Sequence, residues 1–158
     1  MTGTPGGLSM IVAMDDERGI GRLGGLPWHY PSDLRRFRSM TMGKTLIMGR
    51  RTLQSLPGPL DGRRLVVISR TPLHGLHGCL QGTDIEQALS LAGPGRHVVI
   101  GGEMVYRSAL PLVDEIDLTR IPGTHGCDTF FPRFEDPSWT MVSTKGPAGL
   151  FHETWVRP

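Results

Sequence analysis

Three short constellations in this chain hold residue types able to do chemistry, each built from an apolar run or rigid turn followed by polar groups at a helix start. In Leu26-Pro27-Trp28-His29-Tyr30-Pro31-Ser32-Asp33-Leu34, two prolines fix the chain just before a helical pattern and Asp33 falls in its first turn. The helix dipole alone favours a carboxylate there. Leu34 and Phe37 set an apolar face beside it, however, and an acid held against such a face loses solvent and needs a specific polar partner. The second constellation, Leu46-Ile47-Met48-Gly49-Arg50-Arg51-Thr52, runs from a strand through glycine into two arginines and a hydroxyl. Helix-start N–H groups and guanidinium forks can hold phosphate; an exposed basic turn accounts for the same residues equally well. Ser69-Arg70 repeats the hydroxyl and guanidinium at another strand end. In the third, Val98-Val99-Ile100-Gly101-Gly102-Glu103-Met104-Val105-Tyr106, paired glycines let the backbone approach a ligand closely before a helix begins. Two phosphate-type sites in one small domain suggest a dinucleotide.

The elements that must position these groups alternate. Ser9 to Met14 is a nearly continuous apolar run, as expected of a strand buried on both faces, ending in the charged turn Asp15-Asp16-Glu17-Arg18. Similar runs at Thr45–Met48, Leu65–Ile68 and Val98–Ile100 are each followed by glycine or polar residues that can open a helix. A helix is expected from Ser32 until Gly43, and another before Ala88, Leu89 and Leu91, with Thr83 and Glu86 as a capping box. Beyond Tyr106 the texture becomes strand-like at Ile116–Ile121, Trp139–Thr144 and Leu150–Val156, the last two separated by Gly146-Pro147-Ala148-Gly149. The expected architecture is a single α/β domain from residue 9 to 158, closing with an antiparallel hairpin, after an extended or disordered tail at residues 1–8.

The 158 residues can bury one sizeable core, and a formal charge of +2 gives no reason to expect a nucleic-acid surface. The basic residues are arginines except for Lys44 and Lys145, and asparagine is missing altogether, which reads as coding bias. Cys79 and Cys127 lie far apart, unlike a redox pair or a disulfide framework, and fit a reducing cytoplasm. No apolar run is long enough for a membrane span, and Met1 to Gly7 lacks the apolar stretch of a secretory signal.

Some patterns mislead. Gly19-Ile20-Gly21-Arg22-Leu23-Gly24 has the dinucleotide-fingerprint spacing, but Gly25-Leu26-Pro27-Trp28 interrupts where that fingerprint needs a helix, so a flexible loop is the better reading. His74, His77 and Cys79 lie in a glycine-rich loop without a second ligand pair, and His125, Cys127 and Asp128 form a single cluster, so no metal is expected.

Taken in order, the constellations resemble dihydrofolate reductase from about Ser9 to Trp155. The resemblance is carried by Leu26-Pro27-Trp28 with Pro31-x-Asp33, Met48-Gly49-Arg50-x-Thr52, Ile100-Gly101-Gly102 with Tyr106, Pro59-x-x-Gly62-Arg63, Thr119, and Asp128-Thr129 before Phe131-Pro132. It implies an eight-stranded, mostly parallel sheet flanked by about four helices, and reduction of 7,8-dihydrofolate to 5,6,7,8-tetrahydrofolate by NADPH. That product supplies one-carbon carriers for thymidylate, purine and amino-acid synthesis.

The resemblance also implies roles. Asp33, Trp28 and Thr119 would form the catalytic set, with Asp33 binding the pterin and Thr119 supporting it by a hydrogen bond. Ile11, Val12, Leu34, Phe37, Leu56, Ile100 and Tyr106 would line the substrate pocket, Arg63 would hold the α-carboxylate of the glutamate tail, and Arg38 would add a weaker contact. Arg50, Arg51, Thr52, Ser69 and Arg70 would surround the adenosine 2′-phosphate and adjoining phosphate, and Gly49 with Gly101, Gly102, Glu103, Met104, Val105 and Tyr106 would complete the cofactor cradle. Ala13, Ile20, Gly21, Gly24, Gly25 and Leu26 would meet the nicotinamide end, the glycines of residues 19–26 serving as hinges of a closing loop. Leu26, Tyr30, Leu53 and Glu103 depart from the commoner family residues, and a carboxylate at position 103 could repel phosphate unless it points away. The partners implied are dihydrofolate and antifolate inhibitors such as trimethoprim and methotrexate, bound by a monomer. A related pyrimidine or pteridine reductase is the nearest rival, against which Trp28, Asp33 and Arg63 argue. A silent NADPH- or folate-binding module would be marked by loss of Asp33.

Overall fold

The structure, a computed structural model, describes residues 7–56, 60–74 and 78–158; Pro59 and His77 thus lie outside the described residues. Its strands are β1 (Leu8–Met14), β2 (Gly19–Gly21), β3 (Thr45–Gly49), β4 (Arg64–Ile68), β5 (Cys79–Gly82), β6 (His97–Gly101), β7 (Glu115–Arg120), β8 (Thr129–Phe130), β9 (Thr140–Lys145) and β10 (Phe151–Val156). Its α-helices are α1 (Pro31–Thr41), α2 (Arg50–Ser55), α3 (Ile85–Ala92) and α4 (Glu103–Ala109). Eight strands form one sheet in the order β5-β4-β3-β6-β1-β7-β10-β9, while β2 and β8 pair as a separate ribbon. Pairing is parallel from β5 through β7, and β10 alone runs against the others.

The two-residue period of the strands divides the core between the faces of the sheet. Leu8, Met10, Val12, Ile47, Val66, Val99, Ile116 and Leu118 pack on one face with Ala88 of α3, with Val105 and Tyr106 of α4, and with Phe131, Phe134 and Trp139. Leu46, Met48, Val67 and Val98 pack on the other face with Ile11, Phe37 of α1, Leu53 and Leu56, and Ile100. On β7 the alternation leaves Asp117 and Thr119 on the α1 face, opposite Thr154 and His152 of β10.

Several boundaries differ from expectation. The first strand begins at Leu8, which is fully buried, because its neighbour Gly7 already accepts a hydrogen bond from the His97 N–H and Leu8 accepts one from Asp114. Helix α1 starts at Pro31, one residue before Ser32, with Tyr30 as the N-cap and no side-chain cap; proline suits this first position because its missing N–H has no helical partner there. The α3 cap is Asp84, whose Oδ1 accepts from the Gln87 N–H at 2.8 Å, while Gln87 Oε1 accepts from the Thr83 N–H at 2.7 Å. The box expected of Thr83 and Glu86 is therefore shifted one residue along, since a carboxylate reaches the N3 amide as well as a hydroxyl does. Gly19–Gly21, expected as flexible loop, is a short strand tied to β8, followed by a tight turn in which Arg22 and Gly25 exchange backbone hydrogen bonds. Asp15, the first residue of the charged turn after β1, is 1% exposed. Burial works to raise its pKa, but N–H donors from Gly19, Glu17 and His125 and the Cys127 thiol outweigh that and hold the carboxyl below its ordinary range.

Asp117 is the reverse case. It is buried between sheet and α1, and burial, reinforced by neighbouring Glu115, pushes its carboxyl up to about 7 despite Arg36 and Lys44. With the native pKa above the unfolded value, the folded state holds the extra proton between these pKa values, so stability falls as pH rises through about 4 to 7. Asp117→Asn, which keeps the shape without the charge, is expected to stabilise the fold by on the order of 1–2 kcal/mol at pH 8 and by almost nothing at pH 4. Denaturant unfolding at both pH values checks this, and an equal gain at both would contradict it.

Candidate functional site

Asp33 stands on the first turn of α1, facing the polar stripe of the sheet. The Thr119 hydroxyl donates to its Oδ1 at 2.7 Å, so the specific partner that the sequence required comes from β7, 86 residues away. Asp33 is half-buried, and Leu34 beside it is 51% exposed, so the apolar wall on this helix rests on Phe37. Ile11, Phe37, Leu56 and Ile100 are brought together as partly buried side chains over the second core. Val12 is not with them: its parity turns it into the opposite core, leaving only its backbone for the cleft. Tyr106 is fully buried, its hydroxyl donating to the Ile11 carbonyl at 2.7 Å, and burial raises its pKa. Arg63 donates from Nη1 to Thr41 Oγ1 at 3.2 Å and from Nε to the Asp61 carbonyl, and among the described residues no carboxylate pairs with it. Arg38 is exposed on the last turn of α1.

The glycine cradles meet because β3 and β6 are adjacent parallel strands. Both point their C-terminal ends the same way, so α2 and α4 begin side by side. A Cβ on Gly101 would lie 3.3 Å from Thr52 Oγ1 and 3.5 Å from the Tyr106 ring, one on Gly102 3.4 Å from Thr52 Oγ1, and one on Gly49 3.2 Å from Val105. Gly101 also has φ +126, which side chains rarely adopt. The floor therefore stays bare backbone. Arg50, Arg51 and Arg70 are exposed and among the described residues form no ion pair, whereas Ser69 is buried, with its hydroxyl donating to the Thr71 carbonyl at 2.8 Å. Met104 is 70% exposed, but Val105 is core, so its side chain is unavailable to a ligand.

The Glu103 carboxylate is turned toward β8. Its Oε1 accepts from the Phe130 N–H at 2.7 Å, and Arg107 of the same helix lies 3.4 Å from Oε2. The repulsion foreseen for phosphate is reduced by these donors, and the carboxylate ties α4 to β8. Since β8 carries β2, the same contact steadies the segment leading to Gly24, Gly25 and exposed Leu26. Ile20 packs against the main core, and Gly21 is confined by Thr129, 2.9 Å from where its Cβ would be. Asp128 Oδ2 accepts from the Leu23 N–H at 2.9 Å, while Trp28 meets His125 edge-on at 5.2 Å between ring centroids. Asp128 and His125 of the second cluster thus hold this loop to the body, and the described residues contain no metal-type cluster of three or more His, Cys, Asp or Glu.

One functional candidate escaped the sequence reading: His152 lies 3.1 Å through Nδ1 from Thr119 Oγ1, a contact legible only from the β7–β10 register.

The dihydrofolate reductase family model matches residues 7–149. The chain is 36% identical over 139 residues to dihydrofolate reductase of Bacillus subtilis, covering 87% of this chain and 83% of that protein. It is 39% identical over 133 residues to dihydrofolate reductase type 3 of Salmonella typhimurium, covering 84% and 82%. Among solved structures, dihydrofolate reductase from Enterococcus faecalis, complexed with NADP(H) and RAB-propyl, superposes with a TM-score of 0.86 at 32% identity over 98% of each chain. Fold, cleft and relatives agree, and the chain belongs to the dihydrofolate reductase family.

Proposed function

We propose that this chain reduces 7,8-dihydrofolate to 5,6,7,8-tetrahydrofolate with NADPH, Asp33 being its pterin anchor. The observation that carries the reading is the Thr119 hydroxyl held 2.7 Å from Asp33 Oδ1, beside the apolar surface of Ile11, Phe37, Leu56 and Ile100. A carboxylate with one oxygen engaged can offer the other to the ring N3 and 2-amino group of a pterin, a pair of N–H donors. Binding there fixes the ring and favours protonation at N5, the proton arriving through water because Asp33 stands away from N5. Arg63 takes the α-carboxylate of the glutamate tail, Arg38 adds a weaker contact, and Trp28 covers the pterin side of the cleft.

The bare backbone at Gly49, Gly101 and Gly102, where a Cβ would press on Val105 or Thr52, fits a dinucleotide because glycines at two adjacent helix starts let N–H groups approach phosphate closely. NADPH, when bound, supplies the hydride that goes to C6. Arg50, Arg51, Thr52 and Arg70 would hold the 2′-phosphate and its neighbour, with Ser69 bracing the strand end through its bond to Thr71, while Gly101 to Met104 would cradle the pyrophosphate. Ala13, Ile20 and Gly21 flank the nicotinamide, and the 22–26 turn closes over it and excludes water. Antifolates compete for the Asp33 pocket. The chain works as a cytoplasmic monomer in this reading; among the described residues no helix is long and apolar enough to cross a membrane.

NADPH oxidation by the purified protein, with and without dihydrofolate, is the direct test, and oxidation independent of dihydrofolate would refute the substrate assignment. Asp33→Asn is expected to fold and bind NADPH normally while losing about a hundredfold or more in turnover at neutral pH. Unchanged turnover would mean the pterin is anchored elsewhere. Replacing Arg50 and Arg51 together by alanine is expected to raise KM for NADPH about tenfold or more and leave that for NADH unaltered, because only NADPH presents the 2′-phosphate. Parallel losses with both cofactors would move the arginines to some other duty.

A further inference from the structure

Behind the anchoring pair stands a third polar group. His152 of β10 lies directly across from Thr119 of β7, and its Nδ1 is 3.1 Å from the hydroxyl oxygen that donates to Asp33 at 2.7 Å. A threonine hydroxyl has a single proton, and an ionised carboxylate can only accept. With that proton on the Asp33 side, the remaining contact is complete only if His152 is the donor. We propose that His152 is a positioning residue for the reaction: its Nδ1–H donates to Thr119 and so aims the Thr119 hydroxyl at Asp33.

This rests on the reading of Asp33 as the pterin anchor. It goes further, because it assigns a ring proton and a direction to the whole chain, from His152 through Thr119 to Asp33. The groups facing the imidazole are few. Helix α1 presents Asp33 and Arg36, β7 presents Thr119, and β9 presents Thr144 in the opposite register position. Burial, then the positive charge of Arg36, lowers the His152 pKa against the smaller pull of Asp33. The ring is therefore neutral at neutral pH, with one proton to place, and Thr119 places it on Nδ1.

A neutral imidazole offers something an apolar residue cannot. If Asp33 gains a proton and donates it to Thr119, the threonine proton turns toward His152, whose other tautomer accepts through Nδ1. Either protonation state of Asp33 then keeps a complete hydrogen-bond chain. The turn before β10 is shaped to admit the ring: a Cβ on Gly146 would lie 2.5 Å from His152 Nε2 and 2.6 Å from Cδ2. Gly146 has φ −102, which any residue adopts, so the constraint there is the imidazole rather than the backbone.

The ring nitrogen shifts of the full-length protein, read by NMR at pH 8 and assigned by their loss in His152→Asn, are expected to show the Nδ1–H tautomer. Thr119→Val should move the proton to Nε2. In steady-state assays His152→Phe is expected to lower kcat/KM for dihydrofolate about fivefold, the worth of one ordinary hydrogen bond, and to displace its pH profile. His152→Asn, whose side-chain N–H takes the place of Nδ1, should restore both, and Gly146→Ala should reproduce the phenylalanine defect by crowding the ring. An Nε2–H ring in the parent protein overturns the proposal, as does a phenylalanine variant whose rate and pH profile coincide with the parent's. If the Nδ1–H tautomer and its response to Thr119→Val are found but dihydrofolate is not reduced, the hydrogen-bond direction stands and the assignment of the reaction fails.

Discussion

Every feature of the cleft depends on β3, β6, β1 and β7 lying side by side and pointing the same way. Parallel strands are covered on both faces, so their interiors must be apolar throughout, and polar chemistry is confined to their C-terminal ends or to a stripe that a helix covers. Both solutions occur here. Gly49 and Gly101 end adjacent strands and open two helix starts side by side. Asp117 and Thr119 occupy the covered stripe, where α1 brings Asp33 and Arg36 against them.

That stripe is where the protein balances opposite demands. Thr119, itself in contact with His152, donates to a carboxylate, whereas Asp117, two residues back on the same face, is desolvated, crowded by Glu115 and held toward its neutral form. A charge is stable in such a place only when donors are supplied to it. Asp15 makes the same point just past the C-terminal end of β1, where three backbone N–H groups and a thiol hold a buried carboxyl below its ordinary pKa and join the β1–β2 turn to the 125–127 segment.

The segment from Gly19 to Leu26 is held more firmly than its glycines suggest. Glu103, Asp128 and Asp15 are all acceptors for backbone N–H groups of β8, the Leu23 turn or the β1–β2 turn. The carboxylate at position 103, which would be unwelcome beside a phosphate, is employed in this network. The tip at Leu23 to Leu26 is held by the Asp128 contact and the Arg22–Gly25 pair, while its side chains are exposed and Leu23 and Gly24 have positive φ.

Much of this was legible from the sequence because it depends on neighbours along the chain. Apolar runs ending in glycine marked β3 and β6 with their following helices, Pro31 and Asp33 marked the start of α1, and motif order carried the family resemblance. The one-residue slips at Leu8, Pro31 and Asp84 arose because competing cap and strand-end residues sit side by side, and choosing between them takes the hydrogen bond itself. Parity along β1 was equally available, and it places Val12 opposite Ile11. The meeting of Thr119 with Asp33 was expected from the family resemblance; what the tertiary structure alone decided are the other meetings between distant segments: His152 with Thr119, Glu103 with Phe130, and Asp15 with His125. Local propensity extends over one turn or one strand, whereas these contacts follow from sheet order and register, which are set by burying two whole faces at once.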